Sequence, residues 1–359
     1  YDELFLADND TNGAQNEFIF SLNFDGLSSQ TYGGSTFLVH AAIGGSMNAS
    51  EFGVNGGWGG LRTTKNLVNQ FVTVDINDLN AALGTLSDWG LVGSATPNSW
   101  DGPDLEMHQT GTDTYAVYAD LVAGEMKFRF DEDWGNNYGD NGADGSLEAG
   151  GANIVISTTG TYYVTLDLNS LTYSITPFLP PVDHRGMFHT DGQNLEIESI
   201  PPFEDGYAIT KFKNIDSNGN QGSDAGGDFV DTDLPLIRLA EIYLNYAEAA
   251  LRGGGGDLTL AANRINELRV RAYGNTSGNI SASDLSLDFI LNERSKELYW
   301  EGQRRTDLIR YGYFTSGSYV WPFKGNVPSG SGVADFRNLY PIPTNLLSVN
   351  PNLTQNDGY

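Results

Sequence analysis

Apolar positions along this chain follow two different periods. In TYYVTLDLNSLTYSIT, Tyr162, Val164, Leu166 and Leu168 alternate with Tyr163, Thr165 and Asp167. A period of two predicts strands with one face in a core. The runs YAVYADL, EMKFRFDEDWGNNYGDNG and GANIVIS, separated by turn residues, extend that reading. Residues 72–177 therefore read as a small antiparallel β-sandwich, and Pro177, Pro180 and Pro181 mark its end. From residue 233 the spacing becomes three and four. Ile237, Ala240, Leu244, Ala247 and Leu251 form one narrow face of small and apolar residues. Asp233 reads as the N-cap of this helix, with Pro235 in its first turn and Gly253 and Gly254 stopping it. A second helix is predicted over LTLAANRINELRVRAYG, ending at Gly274. A third begins near Leu287, with Leu287, Ile290, Leu291 and Leu298 on one side. Small residues on facing helices allow close approach, as in a tetratricopeptide pair.

The remaining segments are loop-rich. Residues 1–71 hold one aromatic strand-like run, EFIFSLNF, and a short amphipathic stretch, LRTTKNLVNQF. Residues 182–232 include SNGNQGSDAGGD (217–228), which reads as a mobile or ligand-ordered loop. The fold class expected is mainly α: a tetratricopeptide-like helical scaffold with long loops, carrying an inserted all-β sandwich.

Composition narrows the chemistry. The 359 residues carry a formal net charge of −27. Nucleic acid is excluded as a partner, because its phosphates demand Lys and Arg. Polyanionic glycans are disfavoured by the summed field, whereas a neutral ligand meets no such barrier. With no cysteine in the chain, disulfides, zinc-thiolate sites and cysteine nucleophiles are ruled out. Eighteen Tyr, 18 Phe and 6 Trp make aromatic surface the most available binding chemistry. No apolar run reaches the roughly 18 residues of a membrane helix. The chain starts at Tyr1 without Met or a signal peptide, so it reads as a processed or trimmed piece in which an N-terminal anchor would not be seen.

The densest charge cluster is NERSKELYWEGQRRTDLIRYG (292–312). A carboxylate pair such as Glu297 with Glu301 would suit glycosidic cleavage. Arginines within a turn would hold both carboxylates ionised, whereas a general acid needs a raised pKa. The cluster is therefore expected to be an ion-pair network joining its helix to its neighbours, and the chain is expected not to be an enzyme. His40, His108, His184 and His189 show no recognised spacing.

Aromatic residues on Gly-flanked loops are the binding candidates. In GGWGGLRTT, Trp58 either stands clear of the loop or plugs the core; its neighbours Asn48, Asn55 and Arg62 offer hydrogen bonds to hydroxyls. Tyr32 in TYGG is a second aromatic, and Trp321 in SYVWPFKG sits on another loop. In the β region, Trp134 with Tyr138 is either a stacking platform or packing, and Trp100 reads as core. DNDTNG (8–13) matches half of a calcium loop, with Asp8, Asp10 and Asn12 at positions one, three and five. Ile19 stands where the closing acid belongs, so an Asx-rich turn is the better reading. Asp228, Asp231 and Asp233 are alternative ligands, and structural calcium is the one cofactor considered.

RLAEIYLNYAEAALRGG, NRINELRVRA, LDFILNERSKELYWEGQRRTDLIRYG and NLYPIPTNLLSVNPNLTQNDGY resemble the C-terminal half of SusD-like (RagB-like) surface glycan-binding lipoproteins of Bacteroidetes. NEFIFSLNF, YGG and GGWGGLRTT in residues 1–71 resemble that family's middle section, and DHRGMF (183–188) its continuation in residues 178–359. The family's N-terminal third is absent. VGSATPNSWDG, AGEMKFRFDEDWGNNYG and GTYYVTLDL resemble instead the β-sandwich modules of SusE- and SusF-like proteins. The resemblance implies a non-catalytic outer-membrane protein that binds a neutral glycan through Trp58. It also implies a SusC-like TonB-dependent transporter as partner and a lipid anchor not present in this chain. Family members carry calcium. Acidity points to a neutral polymer, with a β-1,3-glucan such as laminarin as first candidate. A glycoside hydrolase and a purely structural lid for the transporter are the alternatives.

Overall fold

The computed structural model describes residues 1–71 and 74–359. The chain forms two compact units, Tyr1–Val72 with Asp183–Tyr359, and Thr73–Val182. The segment on either side of the β region thus belongs to one body. The expected 71/72 boundary touches residues outside the described ones. The far boundary lies beyond Pro177, because Phe178 N donates to Thr161 O at 2.8 Å and the Phe178 ring packs 4.7 Å from Tyr118.

The chain is not mainly α. Only 27% of it is helical, and its largest element is a nine-stranded sheet. In order across the sheet the strands are Thr172–Pro177, Gly160–Asp167, Thr114–Leu121, Leu105–Gly111, Thr85–Val92, Gly124–Phe130, Asp133–Gly139 and Glu148–Ala149, with Ile154–Ile156 also paired to Gly124–Phe130. Its pairings are antiparallel. The sheet curls until its two ends meet, where Ser146 bridges Thr172 and Leu147 N donates to Leu171 O at 2.8 Å. Curling lets one sheet bury a single core: Leu91, Met107, Val117, Met126, Phe128, Val164 and Leu166 are all essentially inaccessible. Of the inner face expected from Tyr162 to Leu168, Tyr162, Val164 and Leu166 are buried and Leu168 is half-buried against the same core.

The other unit contains the predicted helices. Leu239–Leu251, Leu258–Tyr273 and Leu287–Leu298 pack Ala240, Leu244 and Ala247 against Ala261, Ala262, Ile265, Leu268, Ile290 and Leu298. Asp257 caps the second helix by accepting from Thr259 N at 2.8 Å, and Gly274, at φ +68°, ends it. The first helix begins five residues later than the sequence suggested. Leu234–Arg238 is instead a strand paired antiparallel with Phe18–Leu22, so Ile237 lies in a strand and Asp233 caps no helix. The side chain of Asp233 accepts from Phe24 N at 2.8 Å, tying the N-terminal segment down. Local pattern could not reveal this, because the competing partner lies more than 200 residues away.

The loop 217–228 is held by its own carboxylates. Asp216 accepts from Asn218 N at 2.9 Å and Asn220 N at 2.8 Å, while Asp224 accepts from Asp228 N and Phe229 N, both at 3.0 Å.

Candidate functional site

Trp58 is exposed because its loop is spent on capping a helix. Gly34–Ala41 is a short helix whose last carbonyls lack intrahelical partners. Trp58 N donates to His40 O at 2.8 Å, Gly59 N to Ile43 O at 2.8 Å, and Gly60 N and Leu61 N to Ala41 O at 3.0 and 2.8 Å. Gly57 lets this loop approach so closely: a Cβ there would lie 2.3 Å from Ile43 O. The indole is thereby laid on the buried His40 ring, with centroids 4.8 Å apart and planes 13° from parallel. His40 is fixed in turn, since Nδ1 lies 2.7 Å from Gly56 O and Nε2 3.1 Å from Asp228 O.

One face of the indole remains open, and Trp58 is 45% exposed. Tyr32, 63% exposed, lies 6.2 Å from it, and the exposed Phe37 ring lies 6.1 Å away. Tyr32 packs against Phe229 at 5.0 Å. The sequence pairing of Tyr32 with Trp58 is therefore realised in space. Phe37, Phe229 and His40 were missed as members of this face. Phe229 follows directly on the Asp-rich loop already singled out; Phe37 and His40 carry no local signal beyond facing the same way on one short helix.

The polar residues divide. Asn55 is exposed beside Trp58, and its Nδ2 donates to the exposed Asp228 carboxylate at 2.7 Å. That pair places a donor and an acceptor at the rim of the aromatic face. Asn48 is a helix cap, accepting from Ser50 N at 3.2 Å. Arg62 is engaged with backbone, donating from Nε to Asp205 O at 2.8 Å and from Nη2 to Ile200 O at 2.6 Å. Trp321 lines a separate cavity of about 330 Å³ with Arg304, Arg305 and Tyr319, and its ring lies 6.2 Å from Phe314. Trp134 and Tyr138 belong to the other unit. There they do not form one platform: the Tyr138 ring packs 5.7 Å from the buried Trp89, whereas Trp134 lies 6.0 Å from Trp100.

Asp8 and Asn12 of the DNDTNG run are engaged by hydrogen-bond donors of the protein itself. Asp8 accepts from Ser217 N at 3.1 Å and Ser217 Oγ at 2.6 Å, and the Asn12 carbonyl accepts from Ala14 N at 2.9 Å. Asp231 is likewise used, by Gly26 N at 2.7 Å and Ser223 N at 2.6 Å. Among the described residues no group of three or more His, Cys, Asp or Glu is placed to hold a metal.

The charge cluster is a buried ion-pair network. Its helix ends at Leu298, so Glu301 lies in the following turn rather than on the same helix as Glu297. The principal cations come from elsewhere in the chain. Arg238 Nη1 donates to Glu297 at 2.6 Å and Nε to Glu301 at 2.7 Å. Arg185 Nη1 donates to Glu297 at 2.9 Å, Arg271 pairs with Glu297, and Lys211 Nζ donates to Glu301 at 2.6 Å. Burial alone would raise the Glu297 carboxyl, but Arg271, Arg238 and Arg185 outweigh it and hold the group well below the usual 4.5. Such a carboxylate cannot serve as a general acid. Arg294, from within the cluster, pairs with Asp307 at 2.8 Å.

Residues 202–359 match the model of the SusD family. Over 360 aligned positions the chain is 31% identical to the starch-binding protein SusD of Bacteroides thetaiotaomicron, covering 100% of this chain and 52% of that protein. The chain is thus similar to SusD-family proteins. It spans about half the length of that curated relative. Among solved structures, it is similar to surface glycan-binding protein A from Bacteroides thetaiotaomicron, in complex with laminarihexaose. That match has 27% identity, covers 43% of this chain and 31% of the other, and has a TM-score of 0.34. A SusD superfamily protein from Bacteroides vulgatus matches at 30% identity over 38% of this chain and 30% of its own, with a TM-score of 0.31.

Proposed function

We propose that this SusD-like chain binds a neutral glycan, without cleaving it, on the face built by Tyr32, Phe37 and Trp58. The observation that carries the reading is an indole held flat on a fixed imidazole with its other face open. The C–H groups of a pyranose stack on such a face, and the Asn55–Asp228 pair offers a donor and an acceptor to the sugar hydroxyls. The net charge of −27 favours an uncharged polymer. A glucan is the substrate class proposed. Laminarin is the first candidate, and starch stands beside it because the curated relative is named for starch binding. The same reading places the protein at the outer face of the outer membrane, passing oligosaccharide to a SusC-like TonB-dependent transporter.

Affinity electrophoresis in gels containing laminarin, starch, xylan or mannan tests the binding step. Wild type is retarded by at least one glucan, and Trp58→Ala runs as in the gel without glycan. Retardation unchanged by Trp58→Ala removes this face from the site. Reducing sugar released by wild type and abolished by one Glu or Asp substitution would replace binding with hydrolysis.

A further inference from the structure

Two adjoining cavities in the unit that holds the helices gather positive charge in a strongly acidic chain. One, of about 330 Å³, lies among Arg304, Arg305, Leu308, Phe314, Tyr319 and Trp321. The other, of about 800 Å³, shares Arg305, Phe314 and Trp321 with it and adds Lys324 and Arg337. With Arg62 and Arg294, the two linings hold six of the chain's 19 Lys and Arg, but only one of its 46 Asp and Glu, Asp307. A hollow lined by one sign of charge concentrates ions of the other sign.

Asp307 does not neutralise this hollow, because it is already spent. Its two oxygens accept from Arg294 Nε and Arg310 Nη2, both at 2.8 Å. Arg304 and Arg305 meet only neutral acceptors among the described residues. Arg304 donates to Leu291 O at 2.8 Å and to Tyr319 Oη at 2.6 Å. Arg305 commits only Nη2, to Arg337 O at 2.8 Å and Asn338 O at 3.1 Å. Both side chains are half-buried, so two guanidinium charges are partly desolvated without a counter-charge. Arg305 is also held in place, with Cζ 3.9 Å from the Tyr340 ring centroid and 4.8 Å from that of Phe314. Stacking on Tyr340 occupies a face of the guanidinium and leaves its edge for a ligand. That edge is where arginine binds carboxylates.

The walls select the rest of the ligand. Leu308, Phe314, Tyr319 and Trp321 make the smaller cavity largely apolar and aromatic. Its volume of about 330 Å³ stands at the lower end of the range for small-molecule pockets, about 300–1,000 Å³. A neutral sugar would bring hydroxyls and leave the arginine charge uncompensated.

The geometry points to a binding site for a small aromatic carboxylate in this cavity, with the carboxylate on Arg304 and Arg305 and the ring against Phe314 and Trp321. The site shares no residue with the Tyr32–Trp58 face and does not depend on glycan binding there. The chain's net charge of −27 opposes the approach of an anion only over distance. Physiological salt screens exposed charges beyond about 8 Å, whereas the arginines stand in the cavity wall.

The test is calorimetry on the full chain with 3-phenylpropionate as probe and its methyl ester as the uncharged control. The expected result is saturable binding of the acid, with the ester at least about tenfold weaker, because the charge-assisted hydrogen bonds are lost. Arg305→Gln lowers affinity for the acid by at least about tenfold and brings acid and ester close together. Thermal melting shows whether that variant is folded; the comparison of acid with ester in the wild type needs no variant. Equal affinity for acid and ester would overturn the proposal, as would no heat from the acid up to about 10 mM. Binding of the acid that persists in folded Arg305→Gln but is lost in Trp58→Ala would also overturn it, by placing the probe on the Trp58 face.

Discussion

The Trp58 indole lies parallel to the buried His40 ring at 4.8 Å, and Trp58 N donates to His40 O at 2.8 Å. One residue thus fixes both the backbone and the side chain of the residue that would meet the sugar. His40→Ala removes the floor and leaves Gly56 O and Asp228 O without this neighbour. The expected loss is about 1–3 kcal/mol of stability, together with weakened glycan retention. Thermal melting and affinity electrophoresis read the two effects. Retention equal to wild type would separate Trp58 placement from His40.

Gly57→Ala tests the close approach of the loop. A Cβ 2.3 Å from Ile43 O forces the capping strand of the loop outward. Overpacking of this kind costs about 1–3 kcal/mol, and glycan retention falls with it. Gly56→Ala is the control, because a Cβ there meets nothing within 4 Å. Equal urea midpoints for the two variants would refute the argument.

Glu297→Gln removes a fully buried carboxylate that faces Arg185, Arg238 and Arg271. Breaking such a network from one side costs about 3–5 kcal/mol. Urea unfolding measures it; a loss below about 1 kcal/mol would show that the arginines rearrange and rehydrate freely.

Acid stability follows from the same groups. Glu297 and Glu293 are held below 4.5 and Asp183 below 3.8, despite burial that would raise all three, by Arg185 and neighbouring cations. In the unfolded chain they bind protons at higher pH than in the folded one. Their stabilisation is therefore complete above about pH 4.5 to 5 and is lost as pH falls below that range. Urea midpoints measured from pH 6 to pH 3 should hold to about pH 5 and then decline. A flat profile would mean that the network carries no net coupling to folding.

Lys211 gives a signature at the other end. Burial lowers its ammonium from 10.5 to about 8, in spite of Glu301. Between pH 8 and 10 the unfolded chain binds the extra proton, so the penalty of burying this charge is relieved as pH rises. Wild type should gain stability over that interval relative to Lys211→Met, which has nothing to titrate there. Parallel profiles for the two proteins would show that the ammonium stays charged.

Some of this was fixed by local pattern. The helix Leu258–Tyr273 is bounded by Asp257 and Gly274, which set its ends through hydrogen bonds and φ within a few residues. The alternation from Tyr162 to Leu166 defines an inner face whatever sheet receives it. Glycines around Trp58 marked a loop that brings an aromatic to the surface. Such features rest on interactions between residues close in sequence, so the sequence displays them directly.

What tertiary structure decided are the pairings across the chain. Leu234–Arg238 became a strand because Phe18–Leu22 offered it hydrogen bonds, overriding a reasonable helix start at Asp233. Trp134 met Trp100 rather than Tyr138, because side chains four apart on a strand do not stack and a neighbouring loop lay closer. Glu297 is neutralised by Arg185, Arg238 and Arg271, from up to 112 positions away, rather than by the arginines beside it in sequence. Charge and aromaticity are properties of single residues and can be read one by one; which of them meet is set by chain topology, which buries a carboxylate only where distant cations converge.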